Sequence, residues 1–190
     1  MSVYDTREFR KGLKIEMNGQ PLTIVDFQHV NPGKGAAFTR LKTKNLRTGQ
    51  VIEQNIKRGD KVGKPNLQDR NVQFLYKDSQ GYHFMDTENY ESVMLQEEDV
   101  EDVKFYLLEQ AYLKILFFED KPIGVEVGTF VELKVTQTEP AVKGDTATGA
   151  SKHAIMETGL SVSVPLHIKE GDTLRVDTRT GDYMERVQRA

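Results

Sequence analysis

Short segments in which hydrophobic and polar residues alternate recur along this 190-residue chain. Alternation with a period of two is typical of strands that bury one face. Many short strands separated by turns predict a mainly β fold of small barrels or sandwiches. The turns are predicted at residue pairs that end in glycine, namely Asn18-Gly19, Thr48-Gly49, Gln80-Gly81, Glu170-Gly171 and Thr180-Gly181.

One segment departs from this alternation and has helical spacing. From Glu97 to Ala111 the hydrophobic residues recur every three or four positions, and acidic residues occupy the first turn. Acidic side chains in a first helical turn are stabilised by the helix dipole. The pattern therefore predicts one helix here, packed against or closing the middle barrel.

Two strand-like segments enclose a loop that holds a single lysine. The incoming segment, Leu22–Val30, is rich in β-branched and aromatic residues, and the outgoing segment, Phe38–Leu46, alternates residue types. Strand propensity on both sides of a short loop favours a β-hairpin over a strand followed by a helix.

The loop reads Asn31-Pro32-Gly33-Lys34-Gly35-Ala36-Ala37. Pro32 restricts its own φ angle, whereas Gly33 and Gly35 can adopt positive φ at low cost. The amine of Lys34 is therefore expected to project from a narrow, uncrowded tip. A phosphate-binding P-loop is excluded, because Gly35 follows the lysine where serine or threonine would be required.

The period of two divides the outgoing strand into two faces, one of which is cationic. Thr39, Leu41 and Thr43 are predicted to share the other face. Three cations beside a lysine-tipped loop indicate contacts to nucleic-acid phosphates. The residues predicted on the opposite, cationic face are Phe38, Arg40, Lys42 and Lys44.

Charge is distributed unevenly along the chain, although the whole carries a formal net charge of only −3. Residues 1–64 sum to +7, residues 65–127 to −9 and residues 128–190 to −1. Three modules of this size are predicted, each large enough to fold as a small β domain. The basic first module is expected to face nucleic acid, while the acidic module is either held away from it or merely solvated.

No arrangement of residues indicates catalysis or metal binding. The chain lacks cysteine, and its four histidines are far apart and show no metal-ligand spacing. No serine-centred motif and no carboxylate pair suggests a nucleophile or a general acid and base. The amino terminus lacks the apolar core of a signal peptide, and no run of residues is long enough to span a membrane. A cytoplasmic protein that is not an enzyme is expected.

Motifs in two distant regions of the chain, the hairpin and the carboxy-terminal region, resemble the bacterial elongation factor P family. The hairpin His29–Arg40 resembles the family's modification loop, and the closing strands Val176–Val187 resemble its carboxy-terminal end. Between them, a signature-like pattern reads Lys152-x-Ala154-x4-Gly159-x2-Val162-x-Val164-Pro165-x2-Ile168-x2-Gly171. The resemblance extends from Phe9 to Val187. It implies three barrels in series: an SH3-like, KOW-type domain followed by two OB-type domains.

The resemblance also implies a function. Members of the family bind the ribosome between the peptidyl-tRNA and exit sites and stimulate peptide-bond formation at consecutive prolines. By resemblance Lys34 is the residue that enzymes modify, and its covalent extension steadies the CCA end of the peptidyl-tRNA. No separate cofactor is implied, and a monomer is expected. Pro32, Gly33, Gly35 and Ala36 would support the modified lysine.

Further RNA contacts follow from the resemblance. A loop containing Gly144, Asp145 and Thr146 would read the mRNA codon in the exit site, although a hairpin turn capped by the aspartate is the structural alternative. Tyr183 and Arg186 would stack on RNA or pair with it, or would be ordinary residues of the barrel surface.

Two departures from the family's pattern leave questions open. Asn31 and Ala36 differ from residues common in the family, so the Lys34 extension could be of the β-lysyl or aminopentanol type, or absent. His153 and Ile155 replace proline and threonine, which removes rigidity that a proline would supply. The alternative function is that of an RNA-binding scaffold protein of SH3/OB type, in which an unmodified Lys34 binds phosphate as a point charge.

Overall fold

The computed structural model describes residues 3–140 and 150–187. Strands in these ranges form sheets of six, five and five strands, which confirms a mainly β chain. The described residues fall into two compact units, which belong to Met1–Asp69 with Leu116–Gly124 and to Arg70–Ile115 with Val125–Ala190. The module borders near residues 64 and 128 stay a prediction. No helix in the described ranges is long and apolar enough to cross a membrane.

The first sheet contains the lysine hairpin. Its strands are arranged in the order β1-β6-β2-β3-β4-β5. A 3₁₀ turn at Thr6–Glu8 follows the first strand and is capped by Asp5, whose carboxylate accepts a hydrogen bond from the Arg7 amide. The strands are β1 (Val3–Asp5), β2 (Lys14–Met17), β3 (Gln20–Val30), β4 (Phe38–Asn45), β5 (Val51–Lys57) and β6 (Lys61–Gly63).

A hydrophobic core holds this sheet together. Burial of each large aliphatic side chain contributes roughly 1.5 to 3 kcal/mol, so the core fixes strands that are far apart in sequence. It also anchors β3 and β4, the two strands on either side of residues 31–37. The buried members are Phe9, Leu13, Ile15, Leu22, Ile24, Leu41, Ile56 and Val62.

The second sheet has the strand order β11-β10-β7-β8-β9 and an aromatic interior. The Phe74 ring lies 5.2 Å from that of Phe84 and 6.0 Å from that of Tyr82. Contacts at these centroid distances add to the stabilisation that burial provides. The strands are β7 (Leu67–Lys77), β8 (Tyr82–Asp86), β9 (Ser92–Leu95), β10 (Tyr112–Phe118) and β11 (Lys121–Glu126).

The third sheet has the strand order β14-β13-β12-β15-β16. Val162, Val164, Leu174 and Val176 are among the buried residues of its core. The first three alternate with exposed or half-buried neighbours, as strand periodicity requires, whereas Val176 is followed by the buried Asp177. The strands are β12 (Phe130–Thr138), β13 (Ser151–Met156), β14 (Ser161–Pro165), β15 (Thr173–Asp177) and β16 (Tyr183–Val187).

The continuous helix predicted from Glu97 to Ala111 is replaced by two 3₁₀ turns, Glu97–Asp99 and Lys104–Tyr106. Leu107 is already extended, with φ −84° and ψ 109°. The backbone N–H of Phe74, on β7, donates to the carbonyl of Ala111 at 2.9 Å. Pairing with β7 therefore outweighs helical propensity at the end of the segment.

Some hydrophobic residues of this segment are buried without a helix. Val100 and Leu107 are both buried, so the spacing reflected contact with the core rather than a helical backbone. The two turns are joined by an ion pair between Lys104 Nζ and Glu97 Oε1, at 2.9 Å.

Candidate nucleic-acid interface

The predicted hairpin is confirmed. Strands β3 and β4 pair antiparallel from Leu22 opposite Asn45 to Val30 opposite Phe38. The ladder has one irregularity, between Ile24 and Asp26. Because the pairing continues to Val30, the seven-residue segment 31–37, here called the lysine loop, begins directly where the ladder ends.

Lys34 is exposed in the lysine loop. Its side chain makes no hydrogen bond or ion pair with any residue in the described ranges, so its amine is accessible to solvent. Gly35 has a φ of +105°, a conformation that other residues adopt only with strain. A Cβ at Gly33 would meet no atom within 4 Å, and one at Gly35 would approach only Pro32 Cγ, at 3.9 Å. The tip is therefore uncrowded, as predicted.

The predicted division of β4 into two faces is also confirmed. Thr39, Leu41 and Thr43 are buried, with relative exposures of 2%, 0% and 0%. The cationic face presents three exposed side chains, those of Arg40, Lys42 and Lys44, and the half-buried Phe38. Core packing of the alternate residues thus holds the three cations on the solvent side of the strand.

Carboxylates from the neighbouring strands moderate this cationic face. Glu53 Oε1 on β5 lies 3.4 Å from Arg40 Nε. Asp26 on β3 stands opposite Lys42 and forms a 2.9 Å ion pair with Lys11. Hydrogen bonding and charge from Lys11, with a smaller effect of Lys42, lower the pKa of the Asp26 carboxyl. Sequence reasoning missed both acids, because strand register brings them to a face that was read from β4 alone.

Three further cationic or ionisable residues near the lysine loop were not predicted. His29 Nδ1 lies 2.8 Å from Thr39 Oγ1, and its ring packs edge-on against Phe27 with centroids 5.5 Å apart. Arg58 donates its backbone N–H to the carbonyl of Ala37, at 3.2 Å. With Arg7, these residues line a cavity of about 190 Å³ at the root of the loop. Their separation in sequence gave no local motif by which to find them.

The predicted RNA contacts of the carboxy-terminal region are separate from this hairpin in sequence. Gly144, Asp145 and Thr146 lie outside the described residues. Tyr183 is half-buried and packs against the core of the third sheet. Arg186 is exposed, and its Nη1 lies 3.8 Å from Asp172 Oδ1. The placement of Tyr183 and Arg186 does not test whether they bind RNA, so the predicted RNA contacts stay predictions.

Asp177, the last residue of β15, has its carboxylate stabilised by Arg179. Asp177 Oδ2 lies 2.6 Å from Arg179 Nη2, and Oδ1 accepts from the Arg179 amide at 2.9 Å. The side-chain hydrogen bonds from Arg179, followed by its backbone N–H, lower the pKa of Asp177 from 3.8 to about 2. The pair fixes the turn that leads into β16.

Three family models match successive parts of the chain. They are described as the "Elongation factor P (EF-P) KOW-like domain", over residues 5–62, the "Elongation factor P (EF-P) OB domain", over residues 67–125, and "Elongation factor P, C-terminal", over residues 131–186. The chain belongs to the elongation factor P family. Membership makes it a translation elongation factor, and the KOW-like and OB descriptions confirm the predicted fold class.

Relatives within the elongation factor P family match over nearly the whole chain. Elongation factor P of Bdellovibrio bacteriovorus is 52% identical over 185 residues, which are 97% of this chain and 98% of that protein. Elongation factor P of Moorella thermoacetica is 49% identical over 182 residues, which are 96% and 98% of the two chains.

A solved structure of a translation initiation factor shares the fold. Eukaryotic translation initiation factor 5A from Methanococcus jannaschii superposes with a TM-score of 0.52 at 21% identity, covering 65% of this chain and 93% of that chain. At this level of identity the likeness concerns the fold alone.

Proposed function

We propose that this member of the elongation factor P family binds the ribosome between the peptidyl-tRNA and exit sites and stimulates peptide-bond formation at consecutive prolines. In this proposal enzymes attach an extension of the β-lysyl or aminopentanol type to Lys34, and the extended side chain steadies the CCA end of the peptidyl-tRNA. The observation that carries the proposal is an exposed lysine at the tip of an ordered hairpin, in a chain that belongs to this family.

The hairpin has the physical properties that such an arm needs. Pairing of β3 with β4 extends to the residue before the loop, and the buried face of β4 ties the hairpin to the core. Because this base is already fixed, binding of RNA at the tip orders the Lys34 side chain without also ordering the strands that carry it. Less entropy is then lost on binding, which favours a preorganised contact.

Positioning alone can account for the stimulation. Proline is a constrained reactant that aligns poorly, and correct orientation of two reactants can lower a barrier by several kcal/mol, up to roughly 7 to 11 in extreme cases. Such a role requires no general acid or base from the factor. The ribosome would perform the chemistry, and the factor would act as a cytoplasmic monomer without enzymatic activity.

The remaining predicted contacts fit the same role. Arg40, Lys42 and Lys44 would contact tRNA phosphates, with their affinity moderated by Glu53 and Asp26. The segment with Gly144, Asp145 and Thr146 would read the exit-site codon, and Tyr183 and Arg186 would contact RNA near it.

The proposal is tested in a reconstituted translation system with an mRNA that encodes consecutive prolines. Native protein with the mass of an extended Lys34 should relieve stalling, and Lys34→Ala should abolish relief while the protein stays folded. Lys121→Ala, which removes an exposed lysine from β11, is the matched control and should act as wild type. Full relief by Lys34→Ala would refute the proposed role. An unmodified native mass, with relief still dependent on Lys34, would refute the extension but keep the stimulation. No relief by the wild-type protein would favour the RNA-binding scaffold.

A further inference from the structure

A cavity of about 190 Å³ opens at the root of the lysine loop. Its walls come from the turn after β1, the end of β3, the start of β4 and the residue after β5, so only the folded first sheet assembles it. One ordered water needs roughly 10 to 15 Å³ of such space. The cavity therefore has room for a ligand group much larger than water.

The charged groups that line this cavity are cationic or ionisable to cations. They are Arg7, His29 and Arg58, and no aspartate or glutamate is part of the lining. Arg7 is partly neutralised, because Asp5 holds its Nε at 3.2 Å and its Nη2 at 3.3 Å. The Arg58 side chain forms no ion pair with any residue of the described ranges. An anion is the ligand class that these charges favour.

The cavity also has a fixed aromatic wall. The contact between His29 Nδ1 and Thr39 Oγ1 and the edge-on packing against Phe27 hold the imidazole ring in place. Phe38 lies on the same lining. Rings of this kind provide faces on which a ribose or a base can pack.

We infer that this cavity binds one nucleotide unit of single-stranded RNA, with its phosphate at Arg58 and Arg7 and its sugar or base against His29 and Phe38. Arg58 is tied by its backbone to Ala37, the last residue of the lysine loop. The bound phosphate would therefore lie at the root of the loop. This inference rests on the proposed function for the identity of the RNA, but nucleotide binding can be measured without a ribosome.

The test is an amide NMR titration of the full chain with AMP, inorganic phosphate and adenosine in separate arms. AMP should shift the amides of His29, Thr39 and Arg58 saturably, phosphate should do so with lower affinity, and adenosine should have the lowest affinity. Arg58→Gln should weaken AMP binding by about tenfold or more, since a hydrogen bond to a charged group is worth at least about one factor of ten. An unchanged spectrum elsewhere in the variant shows that it is folded.

Arg47→Gln is the matched control, because it removes the same charge from the turn at the opposite end of β4. It should bind AMP within twofold of wild type. Equal losses in Arg47→Gln and Arg58→Gln, an absence of saturable shifts, or adenosine binding as tightly as AMP would each overturn the inference. Lys34→Ala should keep AMP binding. AMP binding by Arg58→Gln therefore tests the cavity, and relief of stalling by Lys34→Ala tests the proposed function.

Discussion

Two threonines on the buried face of β4 should respond differently to the same substitution. Thr43 is fully buried, and its hydroxyl has no hydrogen-bond partner in the described part of the chain. Thr39 is also buried, but its hydroxyl lies 2.8 Å from His29 Nδ1. Valine has nearly the shape of threonine and replaces the hydroxyl with a methyl group. Thr43→Val therefore removes an unsatisfied polar atom, whereas Thr39→Val breaks a contact.

The expected difference follows from these surroundings. A buried, unpaired hydroxyl costs about 1 to 3 kcal/mol, and the added methyl contributes about 0.8 kcal/mol of burial. Allowing for imperfect packing, Thr43→Val should raise the free energy of unfolding by about 1 to 2 kcal/mol. Thr39→Val loses a hydrogen bond worth about 0.5 to 1.5 kcal/mol, which cancels or exceeds the gain from its methyl.

Urea unfolding of the full chain, followed through the amide signals of Leu41 and Ile56, measures this difference within the first sheet. With a denaturant slope of about 2 kcal/mol per molar, Thr43→Val should raise the urea midpoint by about 0.5 to 1 M. Thr39→Val should leave the midpoint unchanged or lower it.

A lower midpoint for Thr43→Val, or equal shifts in the two variants, would refute the reasoning. Either result would mean that the Thr43 hydroxyl is satisfied in solution or that the core cannot accept a methyl at this position. An unequal pair with Thr43→Val the more stable would show that hydrogen bonding, and not side-chain shape, distinguishes the two sites.

Two further predictions concern a glycine and an aspartate. In thermal unfolding, Gly81→Ala should destabilise the second sheet by roughly 1 to 3 kcal/mol more than Gly171→Ala destabilises the third. A Cβ at Gly81 would lie 2.4 Å from the Leu95 carbonyl oxygen, whereas one at Gly171 would meet nothing within 4 Å. Equal losses of stability in the two variants would contradict this reasoning. Because Arg179 lowers the folded-state pKa of Asp177 from 3.8 to about 2, its stabilising effect is complete above about pH 4 and is lost as the pH falls towards 2. Asp177→Asn should therefore lower the free energy of unfolding at neutral pH. In acid unfolding, the variant should lose less of its remaining stability between pH 4 and pH 2 than the wild type does. An unchanged dependence of stability on pH in this range would argue against a stabilising Asp177–Arg179 pair.

The hairpin was predictable because its signals are local. β-branched residues, a period of two and a glycine-flanked lysine all lie within some 25 consecutive residues, and local backbone preferences suffice to interpret them. The same period correctly separated Thr39, Leu41 and Thr43 from the exposed cations. The helix was mispredicted for the complementary reason. Its spacing reported which side chains are wholly or partly buried, but the backbone at Ala111 pairs with Phe74, a residue far away in sequence.

The amino-acid sequence alone determined the mainly β character of the chain, the position of Lys34 at an accessible tip and the alternation that directs three cations to solvent, because these depend on neighbouring residues. Only the tertiary structure placed Glu53 and Asp26 beside those cations and assembled Arg7, His29 and Arg58 around one cavity. Strand register and core packing decide such contacts, since they join residues whose separation in sequence carries no pattern.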